Sequence, residues 1–346
     1  MMAHKTLTRR PQALRRTLAA ILPGTLILLA LAVASIGTVT RGAAHLMGQP
    51  AQEAFSGTWT AEVQRDKADG SLQFNFHRRT ERGGMSMSGS TYSLNDFQGL
   101  TREQTLATVS TTVSFRLVRE AGTIECQGSF HDGKGSGSWR MIPSQGFRGE
   151  MRSRGYDNLT DEQMFTAVMI DLTSKFVDDL KGAGFDRLSY EDVVKGRIFN
   201  VTPQFISEMK ALGFDNLGLE ELVKARIFKI DAEFVRQIQG MGFDEKSLEG
   251  LVKLRIFKVT PEFVREMKAA NFDNLSTEEL VKLRIFEITP AFVKSLNAEG
   301  LSQLSVEDAV KLKIHHVDDD FIRRARASGY TDLSVEQLVR LSIHGK

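Results

Sequence analysis

The sequence predicts an α+β protein of several domains: an N-terminal transmembrane helix, a small antiparallel β-domain and a C-terminal α-solenoid of 29-residue helix-pair repeats. An unbroken apolar segment near the N terminus and a two-residue alternation of apolar and polar side chains in the middle predict the first two regions. A phenylalanine that recurs every 29 residues predicts the third. The predicted boundaries are 1–17 for a basic cytoplasmic tail, 18–40 for the membrane anchor, 41–53 for a linker, 54–150 for the β-domain and 155–346 for the solenoid.

The N-terminal region has the charge pattern of a membrane anchor. Lysines and arginines precede an apolar segment that is long enough to cross a bilayer, whereas the core of a signal peptide is typically about 7–15 residues. The positive-inside rule keeps the basic flank in the cytoplasm and places the chain after Arg41 outside it. A cleaved signal peptide is the alternative, because Ala32-Val33-Ala34 has the small-x-small pattern of a cleavage site.

The middle region carries the two-residue period of β-strands. Leu72, Phe74 and Phe76 alternate with polar residues, and turn dipeptides such as Asp132-Gly133 separate such runs. Six or so short strands predict a small sandwich or a partly closed barrel, and Gly57-Thr58-Trp59 is similar to the G-x-W that opens lipocalin-type barrels. The single cysteine, Cys126, excludes an internal disulfide and falls in a strand-like pattern, so we expect a buried thiol in the core.

The C-terminal half repeats three markers at one spacing. The recurring phenylalanines are Phe176, Phe205, Phe234, Phe263, Phe292 and Phe321. Three residues before each stands a Thr or Asp that can cap a helix, and eight residues after it stands a Gly or Asn that tolerates the left-handed backbone. In the unit 260–288, Thr260 and Pro261 open a first helix, and Ser276 with Glu279 opens a second as a capping box. Helices of about 11 residues are marginal alone, so neighbouring units must stabilise one another.

Two basic series run through the second helices. A glutamate precedes the first series by four residues, which predicts ion pairs within each helix. These pairs are Glu191–Lys195, Glu220–Lys224, Glu249–Lys253, Glu278–Lys282, Glu307–Lys311 and Glu336–Arg340. The second series is the candidate partner-binding stripe: Arg197, Arg226, Arg255, Arg284 and Lys313. It lacks such an acid, and guanidinium groups suit the recognition of carboxylates.

Two interpretations of the second series stay open. It forms either a stripe that binds an anionic partner or an internal ladder to aspartates of the same period. Those aspartates are Asp157, Asp186, Asp215, Asp244 and Asp273.

The order of the regions resembles a known family. An anchor, a β-domain beginning Phe55-Ser56-Gly57-Thr58-Trp59 and units such as 259–267 (VTPEFVREM) resemble the extramembrane portion of bacterial antirepressor and β-lactam-sensor-type membrane metallopeptidases. The zinc motif H-E-x-x-H of those relatives is absent from this chain. The resemblance therefore implies an exported sensing or interaction portion without the peptidase. Together with the predicted anchor, it predicts a single-pass protein of the bacterial inner membrane with its bulk in the periplasm.

These observations predict a membrane-anchored, extracytoplasmic protein-interaction scaffold without catalytic activity, cofactor or metal. The net charge of +2 argues against a nucleic-acid partner, and His315 with His316 has no Cys or defined carboxylate beside it for a metal site. We expect a protein partner, and contact with the membrane through the N-terminal helix. The alternative is an envelope sensor whose β-domain binds a small ligand and whose helical repeats relay the signal.

Overall fold

A computed structural model describes residues 55–65, 70–79, 85–242, 245, 247–331 and 333–345. These residues belong to one compact unit, Ala54–Lys346, which contains an antiparallel sheet of seven strands and fifteen helices in its described part. The α+β class is therefore correct. The predicted tail, anchor and linker lie outside the described residues. Within the described ranges, no helix has both the length and the apolar character needed to cross a bilayer.

The seven strands follow one another around a curled sheet. They are β1 Ser56–Val63, β2 Leu72–Arg79, β3 Met85–Tyr92, β4 Phe97–Gln98, β5 Thr111–Arg119, β6 Gly122–His131 and β7 Lys134–Pro143. Their order is β3-β2-β1-β7-β6-β5-β4, with every neighbouring pair antiparallel. The first and last strands pair, and the two edge strands are joined by a short 3₁₀ turn, Leu94–Asp96. The sheet therefore forms a partly closed barrel with one seam, between β3 and β4.

Aromatic side chains fill the inside of this barrel. The alternation in each strand directs one set of residues inward, and the Trp59 ring lies 5.2 Å from that of Phe74, 5.3 Å from Phe115 and 5.5 Å from Phe130. The indole N–H of Trp59 donates to the carbonyl of Gln127 at 3.2 Å, so its one polar group is satisfied. The G-x-W element is thus part of a packed interior.

A short helix that the sequence analysis did not predict lies beside the barrel. Helix α1 spans Arg102–Leu106 and contacts β5, β6 and β7. It begins at Thr101 in a capping box, because the Thr101 hydroxyl accepts from the Gln104 N–H and the Gln104 side chain accepts from the Thr101 N–H. The Thr–x–x–Gln spacing is the sequence signal that could have predicted the start of this helix.

The remaining helices form seven pairs, called here the helical array. The first helices are α2 Gln145–Ser153, α4 Ser174–Gly182, α6 Pro203–Ala211, α8 Ala232–Gly240, α10 Pro261–Lys268, α12 Pro290–Ala298 and α14 Asp319–Ala327. The second helices are α3 Asp161–Met169, α5 Tyr190–Ile198, α7 Leu219–Ile227, α9 Leu248–Ile256, α11 Thr277–Ile285, α13 Val306–Ile314 and α15 Val335–His344. From α5 to α15, each second helix contacts the next second helix.

The array begins one helix earlier than the sequence analysis placed it. Helix α2 keeps the same markers, with Ser144 as the cap, Phe147 buried and Gly155 at φ +95°. The predicted caps are also formed: in the unit 260–288 the Thr260 hydroxyl accepts from the Phe263 N–H at 3.2 Å. Asn271 has φ +70°, as its place in the left-handed series predicts.

The barrel and most of the array share one hydrophobic core, which extends from Trp59 to Val310. Phe165 of α3 stacks on Trp139 of β7 with ring centroids 5.0 Å apart, and also contacts Phe55 and Phe76. At the far end of the array, Leu296, Leu312, Val317, Ile322 and Leu338 form a separate buried cluster. The two ends of the described unit therefore depend on different side chains.

Candidate functional site on the helical array

The candidate cations Arg197, Arg226, Arg255, Arg284 and Lys313 stack on phenylalanines of the preceding pair. The guanidinium of Arg255 lies 3.8 Å from the ring centroid of Phe234, and that of Arg226 lies 3.9 Å from Phe205. The other three contacts are Arg197 over Phe176 at 5.9 Å, Arg284 over Phe263 at 4.6 Å and Lys313 over Phe292 at 5.0 Å. All five cations are half-buried. The recurring phenylalanine is therefore both a core residue and a cation–π partner.

Three of these cations also cap the preceding second helix. Arg197 Nε donates to the Asp171 carbonyl at 3.0 Å, Arg284 Nη2 donates to the Lys258 carbonyl at 2.7 Å, and Arg255 Nη2 donates to the Lys229 carbonyl. The accepting residues are left-handed, with φ between +52° and +54°. Such terminal carbonyls have no partner within their own helix, so each pair satisfies the end of the one before it.

The second left-handed series was missed by the sequence analysis. It comprises Asp171, Asn200, Lys229, Lys258, Glu287 and His316. Only Gly, and less often Asn or Asp, usually adopts this conformation, and the series includes lysines, a glutamate and a histidine. Its period of 29 residues was the only available sequence signal.

The internal ladder to the periodic aspartates is not formed. No ion pair joins the five cations to Asp157, Asp186, Asp215 or Asp273 in the described part of the chain, and Asp244 lies outside it. One carboxylate contact is present, between Arg197 and Asp171 at 3.6 Å. Burial lowers the pKa of the Arg226 guanidinium, against the weaker opposite effect of Glu208 and Asp231.

The predicted ion pairs within single helices are wrong. Four of the five lysines pair instead with the glutamate of the next second helix, which is 25 residues further on, and Lys311 lies 3.9 Å from Asp308 of its own helix. The pairs are Lys195–Glu220, Lys224–Glu249, Lys253–Glu278 and Lys282–Glu307. The side-by-side contact of second helices brings a neighbour's carboxylate closer than the carboxylate one turn away. This ladder neutralises four of the lysines, whereas in the second basic series Arg197 alone has a carboxylate contact among the described residues.

An exposed row of isoleucines runs beside these cations. The row consists of Ile198, Ile227, Ile256, Ile285, Ile314 and Ile343, with 37 to 52% of each residue exposed. Each of the first five follows a member of the cation series directly. The sequence analysis missed the row, although its period of 29 residues was visible. An exposed apolar stripe of this regularity is typical of an interaction surface.

The described part of the barrel has a filled interior. Trp59, Phe74, Phe76, Phe115 and Phe130 fill its interior and are at most 2% exposed. A groove of ≈ 480 Å³ lies on the outer face of the sheet. Its polar lining residues are Thr60, Glu62, Gln73, Asn75, Ser129, His131, Lys134 and Ser136.

The described residues contain no group of three or more His, Cys, Asp or Glu placed to hold a metal ion. Cys126 is fully buried, and burial raises the pKa of its thiol. The thiolate needed for nucleophilic attack is thereby disfavoured. His316 is exposed at a left-handed turn, and His315 is the residue that ends α13.

Comparisons with known proteins add no relative: no protein-family model matches the chain, and no curated protein is significantly similar to it.

Proposed function

We propose that the chain is a membrane-anchored, extracytoplasmic interaction scaffold without catalytic activity, in which the helical array acts as a solenoid that binds another protein. The observation that carries this proposal is the isoleucine row on consecutive second helices. Exposed apolar side chains that recur on one surface are typical of protein interaction sites. Arrays of helix pairs provide extended surfaces that suit such partners.

Site-specific photo-crosslinking in cells that make the protein tests this function. A photoreactive residue is placed at Ile256 in the row, at Glu266 on an exposed face of a first helix, and at Met87 on the barrel, which is 68% exposed. We expect one protein, identified by mass spectrometry, to be trapped from at least one array position but not from Met87. Crosslinks from Met87 alone, or from none of the three positions, would contradict the scaffold.

The compartment is part of the same proposal, because the apolar segment at 18–40 follows a basic flank. Protease added to spheroplasts should degrade the chain, while a cytoplasmic marker survives until the membrane is permeabilised. A chain that is protected until permeabilisation would place the bulk inside the cell.

A ligand-sensing function has one feature in its favour, the groove on the outer face of the sheet. Aromatic side chains fill the interior of the barrel, so we expect a small molecule to bind in this outer groove. A thermal-shift screen of the full chain against polar envelope metabolites tests it. Stabilisation that disappears in Asn75→Ala and persists in Arg226→Gln would favour sensing through the groove.

A further inference from the structure

The isoleucine row and the cation series together form a surface with defined chemistry, called here the isoleucine–cation row. It consists of the six isoleucines with Arg197, Arg226, Arg255, Arg284 and Lys313. In each of the five pairs from α5 to α13, the exposed isoleucine directly follows a cation that stacks on a phenylalanine of the preceding pair. The stacking holds these long side chains in place, so less conformational entropy is lost when they bind a partner.

The charge of this surface is balanced only in part by the described residues. Among the described residues, four of the five cations have no carboxylate within ion-pair distance, and Arg197 alone has one, Asp171. The lysines one turn before the isoleucines are neutralised by the glutamates of the next helix. The complementary partner therefore carries negative charge beside apolar side chains.

We propose, on the basis of the scaffold function above, that the isoleucine–cation row binds an acidic amphipathic segment of a partner protein. Its apolar residues cover the isoleucines, and its carboxylates accept hydrogen bonds from the guanidinium groups. Packed helices lie about 8–10 Å apart, and seven residues of an α-helix advance about 10.5 Å. A helix with apolar residues in a heptad pattern can therefore meet one isoleucine of each successive pair.

Arg226 is the best-defined contact point for such a carboxylate. It makes the ring contact with Phe205, but no hydrogen bond or ion pair to the described residues. Its equivalents Arg255 and Arg284 each donate to a carbonyl of the preceding helix end. Among the described residues, Arg226 therefore has guanidinium donors without an acceptor, and Lys313 likewise only stacks on its ring.

Two designed peptides probe this surface. Each has 21 residues, leucines in a heptad pattern and a fluorescent label; one carries glutamates on its polar face and the other lysines at the same positions. Fluorescence anisotropy measures their binding to the full chain in phosphatidylcholine nanodiscs, with empty nanodiscs as the blank. We expect the acidic peptide to bind with an affinity that falls as salt rises, and the basic peptide to bind at least about tenfold more weakly.

Substitutions separate the apolar and the charged contributions. The triple variant Ile227→Ser, Ile256→Ser, Ile285→Ser should bind the acidic peptide at least about tenfold more weakly. The double variant Arg226→Gln, Lys313→Gln should lose affinity and much of the salt dependence. The matched control replaces Val118 and Ile142 with Ser, since these are exposed apolar residues of the barrel, and should leave binding within about twofold. Far-UV circular dichroism melts verify that each variant is folded.

Three results would overturn the proposal: equal binding of the two peptides, unchanged binding in the triple variant, or binding of the row to phosphatidylglycerol vesicles in place of the acidic peptide. Its failure is distinct from that of the scaffold function. Crosslinks from Glu266 without crosslinks from Ile256 would keep the scaffold and move the partner to the first helices.

Discussion

The barrel and the helical array bury their aromatic side chains in different ways. In the barrel, Trp59 contacts rings from three other strands, and the pairing of β1 with β7 joins chain segments far apart in sequence. In the array, five of the six recurring phenylalanines meet a cation 21 residues later, as Phe234 meets Arg255. The barrel therefore depends on contacts between residues far apart in sequence. The helical array depends on one contact that is repeated between neighbouring pairs.

This difference predicts how the stability of each region responds to the loss of a buried side chain. A non-local core is shared by all its strands, so the loss of one large side chain affects the whole barrel. The stability of a repeat array is closer to a sum of unit and nearest-neighbour contributions, so damage stays near its origin. The single cysteine, Cys126, lies inside the barrel and reports on that region alone.

The largest effect is expected for Trp59→Ala, which leaves a cavity in the barrel and removes the indole bond to the Gln127 carbonyl. Such truncations cost about 3–5 kcal/mol in the free energy of unfolding. Urea unfolding measures the loss, and the rate of Cys126 alkylation rises because the buried thiol reacts only when the barrel opens. Met87→Ala is the control, since an exposed site should change stability by less than about 0.5 kcal/mol. A normal alkylation rate in Trp59→Ala would show that the ring is dispensable.

Leu338→Ala tests the opposite end of the comparison. Leu338 is fully buried in the distal cluster, so its truncation costs about 2–5 kcal/mol locally. We expect early loss of helical signal in urea, but no change in the rate of Cys126 alkylation under native conditions. Glu336→Ala, on an exposed site of the same helix, serves as the matched control. An alkylation rate that rises as much as in Trp59→Ala would show that the two regions unfold as one unit.

Local signals explain which parts of the array were predictable. Caps such as Thr260 and left-handed residues such as Asn271 act within one turn of their own helix, so residue type was sufficient. The partners of Lys253 and Arg255 could not be predicted, because the next helix and the preceding helix supply them. The sequence shows the period of the isoleucines but not their exposure. The packing of successive helices decides that Ile256 stays partly exposed.

The barrel was predictable in its strands but not in its closure. The two-residue period correctly directed Leu72, Phe74 and Phe76 inward. Alternation along a strand carries no information about which strand lies beside it, so the placement of β1 between β2 and β7 could not be derived. The same limit applies to the junction, where Phe165 of α3 stacks on Trp139 of the sheet.

The same substitution at two glycines compares the regions directly. A Cβ added to Gly128 in the barrel would lie 2.2 Å from the Ser136 carbonyl oxygen and 2.7 Å from the Trp59 ring, so Gly128→Ala should cost about 1–3 kcal/mol or more. A Cβ at Gly213 in the array meets nothing within 4 Å, and the cost is the left-handed backbone at φ +93°, about 1 kcal/mol. Urea unfolding of both variants measures the difference. Equal losses would mean that the close approach of strands at Gly128 costs no more than the left-handed backbone at Gly213.

The smallest expected effect is the difference between losing the ring contact alone and losing both the ring contact and the hydrogen bond to a helix-end carbonyl. Arg226→Met removes the contact with the Phe205 ring, worth about 0.5–1 kcal/mol, whereas Arg255→Met also removes the bond to the Lys229 carbonyl. We expect Arg255→Met to cost about 1 kcal/mol more in urea unfolding followed by circular dichroism. The Nε atoms of both arginines are buried without a hydrogen-bond partner, so the cost of burying them is the same in both and cancels in the comparison. If both variants lose the same stability, the bond to the Lys229 carbonyl contributes nothing measurable to the contact between neighbouring pairs.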